Sequence, residues 1–337
     1  MKAFSYATIT MIAWAASSSA FAQFPFRFVP PAQLAALNTN PQQTHFAILG
    51  DTQNAPGNWF MQRFGEVAQA VAQTNPDFVQ TVGDNIVLGW PGIQRLQWRQ
   101  WYRNAEPLLE VAPVLPGWGN HDTSTHAIYR HFALPGELFA RFHRGAYSYD
   151  AGPVHVSVLN DSYRHSFLLS RLEIVGFVLP SFDMNPGSRQ YRWLERDLAS
   201  VPDDQWKIVI AHKPPYSVDG GYHDTKNLTQ LADQYGVDLV VSGHTHTYES
   251  SYPVVDGTTV TDGEHTGTTY LVAGTSGAHP NTPSASRVQQ TPWLRTAQTG
   301  ETGYVTIDAT PQTMNIQSYT VDGQLFDSIN LSHPSAP

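Results

Sequence analysis

Short runs of apolar residues end repeatedly on a glycine or a polar turn. Phe46-Ala47-Ile48-Leu49 runs into Gly50-Asp51, and Phe78 to Val82 runs into Gly83-Asp84. Val114-Leu115 leads to Gly119-Asn120-His121-Asp122, Lys207 to Ala211 runs into His212, and Asp238 to Val241 runs into Gly243-His244. Apolar runs of this length, bounded by turn residues, read as buried strands. Between them the period changes. Trp59 to Gln73 sets Phe60, Phe64, Val67 and Val71 at helical spacing, and Gln94 to Val111, Gln190 to Ser200 and Leu228 to Tyr235 also read as helices. Tyr147 to Asn160 alternates around Gly152-Pro153 as a hairpin does. From Thr268 onward, short β runs with Gly and Thr replace the alternation. Alternating strands and helices followed by β-rich sequence predict an α/β sandwich with partly mixed sheets.

The N-terminus breaks this pattern. Lys2 precedes a mostly apolar stretch from Phe4 to Ala16, and small residues lead to Ala20-Phe21-Ala22 before Gln23. That is the layout of an export signal over residues 1–22, and it predicts a periplasmic or secreted protein. The stretch is short and diluted by Thr and Ser, which argues against a lasting anchor. Residues 23–43 read as a linker, with Pro25, Pro30, Pro31 and Pro41 breaking any helix. The domain is expected over residues 44–332. No later segment is apolar enough to span a bilayer, so no membrane span is expected after cleavage.

Composition narrows the chemistry. Hydrophobic residues are 41% of the 337 and aromatics 12%, a globular composition. The formal net charge is -9 and there is no basic run, which argues against a nucleic-acid partner. The absence of cysteine excludes disulfides and any thiolate metal site.

Asp51, Asp84, Asn120, His212 and His244 each follow an apolar strand. In open α/β folds the ligand crevice lies beyond the carboxyl ends of the strands, so these side chains can converge. Carboxylates, an amide oxygen and imidazoles suit Zn, Mn, Fe or Co. Taken singly, Gly-Asp after a strand is ordinarily a turn or a helix cap, and a lone His212 is ordinarily a satisfied histidine. Gly243-His244-Thr245-His246 is more specific, since this composition yields about 0.04 chance occurrences of Gly-His-x-His. All five motifs in this order at strand ends are far rarer.

Gly50-Asp51, Gly83-Asp84-Asn85, Gly119-Asn120-His121-Asp122, Ala211-His212-Lys213-Pro214-Pro215 and Gly243-His244-Thr245-His246-Thr247-Tyr248-Glu249 resemble the ordered motifs of calcineurin-like metallophosphoesterases. The last motif, with Tyr252-Pro253 beyond it, most resembles the purple acid phosphatase branch. The resemblance runs from about Thr44 to the C-terminus and implies a four-layer α/β/β/α sandwich. It implies two divalent transition-metal ions (Mn, Zn, Fe or Co), one held by Asp51, Asp84 and His246, the other by Asp84, Asn120, His212 and His244. Two positions depart from it. The common pattern places a His two residues after the first Asp, where this chain has Gln53; the purple branch places a Tyr three residues after the bridging Asp, where it has Val87. Gln53 is either a ligand through its amide oxygen or a hydrogen-bonding neighbour of the ligands. The larger plant-type enzymes carry an extra N-terminal β domain, for which residues 23–43 are too short.

Two divalent ions about 3.5–4 Å apart generate hydroxide near neutral pH and neutralise phosphate oxygens. The predicted activity is hydrolysis of small phosphate esters by a hydroxide held on the metals, with phosphomonoesters, phosphodiesters and pyrophosphate-containing nucleotides all open. The motif casts His121 as stabilising the transition state or protonating the leaving group, with Asp122 orienting it. His223 and Tyr216, between the fourth and fifth motifs, are candidate substrate contacts. The rival readings are a metal- and phosphate-binding module of the same fold without turnover, and an interaction protein using its nine Trp residues on glycans or envelope partners. The sequence carries no signal for oligomeric state.

Overall fold

Strand β1 (Thr44–Leu49) lies between two strands of opposite sense, and this makes the first sheet mixed. On one side β2 (Phe78–Thr81) runs parallel to it, followed by β3 (Val114–Leu115), also parallel. On the other, β13 (Gly303–Ala309) runs antiparallel, followed by β14 (Thr313–Thr320) and β15 (Leu325–Ser332). The chain's C-terminal strands thus close the sheet that its first strand opens. The computed structural model describes residues 37, 40–53, 62–87, 93–122, 146–161, 184–260, 267–298 and 300–333, with the side chains of 93–95, His223 and Asp224 outside that description. The predicted leader, most of the linker, and the segments 123–145 and 162–183 also fall outside it.

The second sheet has the order β12 (Leu294–Gln298), β8 (Tyr248–Ser251), β11 (Thr269–Ala273), β7 (Leu239–Ser242), β6 (Trp206–Ile210), β5 (Val154–Val158), β4 (Tyr147–Ala151), and β9 (Val254–Val255) pairs with β10 (Thr258–Thr259) as a separate hairpin. From β5 through β6 and β7 to β11 the strands are parallel, and the edges on both sides are antiparallel. Strand periodicity assigns the layers. Trp206, Ile208 and Ile210 enter the core between the sheets, while Val209 and Ala211 join an outer cluster with Leu194, Leu198, Leu228 and Leu231. Those leucines come from α3 (Arg189–Ser200) and α5 (Leu228–Tyr235). Between the sheets Phe46 stacks on Phe78 at 4.6 Å, Phe78 meets the edge of Tyr149, and the Tyr149 hydroxyl donates to Gln80 Oε1 at 2.8 Å.

Helices cover the far side of the first sheet. Helix α1 (Gln62–Gln73) buries Phe64, Val67, Ala68 and Val71, the one-sided spacing legible in its sequence. Helix α2 (Ile93–Leu109) lays Trp98 and Trp101 against it, with Phe64 stacked on Trp101 at 5.4 Å. Each such side chain contributes about 1.5–3 kcal/mol by leaving water. Helix α2 ends at Leu109, two residues short of its expected end, just past Pro107, whose missing N–H weakens the last turn. The layers are therefore helices, sheet, sheet, helices, the expected α/β/β/α sandwich. Four of the nine Trp residues (98, 101, 118 and 206) are fully buried, which accounts for much of the Trp content by packing. Among the described residues no helix is long and apolar enough to cross a membrane.

One polar cluster pins helix α3 to the edge of the second sheet. His155 on β5 lies between Asp150 Oδ1 (Nδ1, 2.7 Å) and Asp197 Oδ2 of α3 (Nε2, 3.1 Å). Ser148 and Ser157 donate to Asp197 at 2.6 and 2.7 Å, and Gln205 donates to Asp150 at 3.1 Å. Burial disfavours the charged imidazole, but its two carboxylate partners outweigh this and raise its pKa from 6.5 to about 9. Asp150 is lowered, chiefly by its hydrogen bond from His155. A folded pKa above the unfolded one gives stability that is fully present below about pH 6.5 and is lost as pH rises through about 9. The Asp150 contribution is present above 3.8 and is lost as pH falls through its lowered value. His155→Leu should therefore lower the melting temperature by roughly 3–6 °C near pH 6, with the gap shrinking towards zero by about pH 10. A gap that is constant from pH 6 to 10 would show that the charge plays no part.

Candidate metal centre

The parallel strands of the two sheets bring their carboxyl ends to one place. Asp51 follows β1, Asp84 follows β2, Asn120 follows β3, His212 follows β6, and His244 and His246 follow β7. Asp51, Asp84, His244 and His246 have φ of 54°, 52°, 72° and 56°, a left-handed region uncommon for non-glycine residues. Held strain of this kind gathers where surrounding structure dictates the geometry. Glycines make room for it. A Cβ on Gly119 would lie 2.1 Å from both the main-chain nitrogen and Oδ1 of Asp84, and one on Gly243 would lie 2.3 Å from Asp51 Oδ2.

The donor atoms fall into two groups that share Asp84: Asp84, His212 and His244, and Asp51, Asp84 and His246. Asn120 joins the first group, its Oδ1 lying 3.2 Å from His212 Nε2. His212 Nε2 is 3.3 Å from Asp84 Oδ2 and 3.3 Å from His244 Nδ1. In the second group His246 Nε2 is 3.5 Å from Asp51 Oδ1, and the Gln53 amide nitrogen lies 3.2 Å from Asp84 Oδ2 and 3.3 Å from His246 Nε2. Bonds of about 2.1 Å to one ion set neighbouring donors ~3.0–3.4 Å apart in octahedral or tetrahedral geometry, so these spacings fit. His212 Nδ1 donates to the Val82 carbonyl at 2.9 Å, which leaves Nε2 as the free donor. Asp51 Oδ1 and Gln53 Oε1 are buried without a hydrogen-bond partner. Buried polar atoms rarely stay unsatisfied, and a cation would satisfy Asp51 Oδ1 where it stands and Gln53 Oε1 once the amide turned over.

The electrostatics of the bare side chains divide: the shifts of Asp84, His244 and His246 favour the ligating forms, whereas Asp51 and His212 favour their protonated forms until a cation displaces the proton. Burial raises Asp51 well above the usual carboxylate range, with His212 pulling it back and Asp84 adding to the rise. Burial would raise Asp84 too, but the charge and hydrogen bond of His212 hold it at about 2. The same carboxylates, against burial, lift His212 to about 10. Burial and the His212 charge lower His244 to about 3, and burial lowers His246, so both favour the neutral, ligating form.

His121 borders the cluster with its side chain 40% exposed and Nε2 3.9 Å from Asp84 Oδ2. Asp122 does not orient it, contrary to the expectation from the sequence. Asp122 Oδ1 accepts from the N–H groups of Asn85 (3.0 Å) and Ile86 (3.2 Å), and Oδ2 accepts from Gly119 N–H (2.9 Å) and the Asn85 amide (3.1 Å). Its oxygens are occupied in joining two loops, and burial, then the charge of Asp84, raise it to about 7. His121 Nδ1 bonds instead to the Val87 carbonyl at 2.6 Å. Tyr216 is not brought to the cluster either. Its ring packs on Tyr270 and Trp293 in the outer-face cluster, because the loop turns it away from the strand ends. Among the described residues, the aromatic that meets the centre is Tyr222, edge-on to His244 at 4.6 Å. His223 opens the short helix α4 (His223–Lys226), and its side chain lies outside the described residues.

Sequence reasoning missed the supports of this centre. Asp161, just past β5, accepts from the N–H groups of His212 (3.2 Å) and Lys213 (2.7 Å), and Glu249 accepts from Val218 N–H at 2.7 Å. Asp161 stands at a strand end like the ligands, and that position was its available signal.

Comparison with known proteins agrees with the geometry. The family described as calcineurin-like phosphoesterase matches residues 44–248. Purple acid phosphatase 23 of Arabidopsis thaliana is 28% identical over 167 residues, 45% of this chain and 32% of that protein. "Probable inactive purple acid phosphatase 24" of the same plant is 25% identical over 273 residues, 70% of this chain and 40% of that protein. Among solved structures, the purple acid phosphatase PPD1 from yellow lupin (Lupinus luteus) seeds superposes with a TM-score of 0.69 at 22% identity, covering 87% of this chain and 55% of that one. The chain spans less than half the length of the curated relatives it matches, 37% of the first of them. A match that extends from β1 to the start of β8, across every motif of the centre, means that this chain belongs to the calcineurin-like phosphoesterases.

Proposed function

We propose that the protein is an exported hydrolase of small phosphate esters that depends on two divalent metal ions. The observation that carries this reading is the sharing of Asp84 between the two donor groups, the arrangement needed for a carboxylate that bridges a metal pair. Asp51, Gln53, Asp84 and His246 would hold one ion; Asp84, Asn120, His212 and His244 would hold the other. When bound, such a pair makes hydroxide available near neutral pH and offsets charge on phosphate oxygens. The donor set suits Mn, Zn, Fe or Co. His121 would act on the ester, a role supported by its two contacts: Nδ1 is tied to Val87, and Nε2 lies on the side of Asp84. Asp122 serves by fixing the two loops that carry Asp84 and Asn120. Tyr222, half-buried against His244, forms an aromatic wall beside the centre. The Lys2-led apolar stretch ending in Ala20-Phe21-Ala22 supports export and, with it, use on extracellular organic phosphates.

The test is metal reconstitution followed by assay with p-nitrophenyl and bis-p-nitrophenyl phosphate. His244→Ala or Asp84→Asn should abolish turnover and lower metal content, because each removes a donor. Full occupancy and activity in either variant would sink the assignment. A wild-type protein that holds metal but turns over neither ester would instead favour the binding module.

His121→Ala should cut kcat by roughly 10²–10⁴ with metal content near wild type. Metal lost along with activity would make His121 a ligand instead.

The first ion has the weaker cage. A half-turn of the Gln53 amide brings Oε1 to where Nε2 stands, within reach of the same ion as Asp84 and His246, but it remains a neutral donor. The purple colour of the related branch comes from a tyrosinate on ferric iron, and here that position is Val87. Tyr248, close to His246 in sequence, is committed elsewhere, its hydroxyl donating to Asp327 at 2.9 Å and accepting from Ser318. Tyr163 lies outside the described residues. The enzyme should be colourless or pale, work with divalent ions, and lose its first ion before its second. Gln53→His should lower the dissociation constant of that ion, read by titration, and Gln53→Ala should raise it. A strong mid-visible band in the iron form, removed by changing one Tyr, would refute this.

A further inference from the structure

Helix α2 turns two polar groups toward the loops of the metal centre from one of its faces. Trp101 Nε1 donates to Thr52 Oγ1 at 3.1 Å, next to Asp51. One turn earlier, Gln97 Oε1 accepts the main-chain N–H of Val87 at 2.7 Å. The spacing of four residues puts both on the same side of the helix. Gln97 is 3% exposed and sits beside the buried Trp98 and Trp101, where an apolar side chain would pack at lower cost. An amide in such a place calls for a specific partner, and the Val87 N–H is that partner.

Val87 passes the constraint on. Its carbonyl can only accept, so the 2.6 Å contact with His121 fixes the proton on Nδ1 and leaves Nε2 as the other reactive atom of the ring. The ring is 40% exposed, so packing alone restrains it weakly. What sets its direction is the position of one carbonyl in a loop without strand or helix pairing. Gln97 holds the other end of that same residue.

We infer that Gln97 is a positioning residue for His121, acting through the main chain of Val87 and setting the angle at which the imidazole meets the phosphate ester. This rests on the role proposed above for His121. The side chain of Val87 takes no part, which is consistent with an aliphatic residue at that position.

The experiment uses the metal-loaded enzyme with aryl phosphate esters, in wild-type and His121→Ala backgrounds. Gln97→Met keeps the length and removes the acceptor; Gln97→Glu keeps an acceptor. Gln97→Met should lower kcat about tenfold with KM within about twofold and metal content unchanged, and Gln97→Glu should recover most of the loss. In the His121→Ala background Gln97→Met should cost less than about twofold, because the group it positions is gone. The same loss in both backgrounds, or an unchanged kcat in the wild-type background, would overturn the inference. A His121→Ala enzyme with undiminished kcat would overturn the underlying reading of His121 instead. Should Gln97→Met not fold, nitrogen-15 imidazole spectra of the zinc-loaded wild type and Gln97→Glu decide. Protonated Nδ1 on His121 in both is expected, and protonated Nε2 with bare Nδ1 would overturn the linkage.

Discussion

Buried carboxylates accept main-chain N–H groups from neighbouring loops, and the metal centre depends on these bonds. Asp51 accepts from His244, Asp84 from His121, Asp122 from Asn85 and Ile86, Asp161 from His212 and Lys213, and Glu249 from Val218. A hydrogen bond to a charged group is worth about 1.5–3 kcal/mol, and in a low-dielectric interior an unpaired carboxylate costs more than that. Each loop is therefore held in register by a buried carboxylate from another. Asp51 and Asp84 serve both purposes, since one oxygen of each holds a loop while the other faces the donor groups.

That stitching explains how four left-handed residues persist at the strand ends. Such backbone costs of order 1 kcal/mol or more per residue and survives only where its surroundings dictate it. The amide of His244, itself at φ 72°, is fixed by Asp51, at φ 54°. Glycines at 119 and 243 complete the arrangement by letting a neighbouring carboxylate occupy the space of a Cβ. The Gly-Asn-His-Asp and Gly-His-x-His motifs thus record packing as much as ligation. The glycine admits a carboxylate from a different strand, and the residue after it supplies a donor.

The sequence made the donor cluster legible because hard and borderline donors at the ends of apolar strands have few other reasons to recur. The helices were legible too: α5 runs from Leu228 to Tyr235, as its periodicity predicts, and is closed by Gly236 at φ 63°. The closing of the first sheet was not legible. Nothing local in β13 to β15 says that they return to β1, because an antiparallel partner at a separation of some 260 residues leaves no mark on period. The supports were hidden for a related reason. Gln97 lies in a helix whose apolar pattern reads as packing, and its partner is a main-chain atom, which residue identity does not reveal. Asp122 is not the partner of His121 that the motif and the common pairing of carboxylates with histidines predict, because the turn points its carboxylate back to Asn85.

Val87 separates what a side chain does at a position from what the main chain does there. Read by side chain, it is a departure, an aliphatic residue where the related branch has a coloured ligand. Read by main chain, its N–H and C=O link helix α2 to His121. The backbone tolerates the exchange because neither bond involves the side chain. On the proposed reading the consequence would fall on the first ion alone, whose cage would lack an anionic donor, while the direction of the His121 ring rests on main-chain atoms. A change of side chain at this position would therefore leave the imidazole in place whatever it did to the ions.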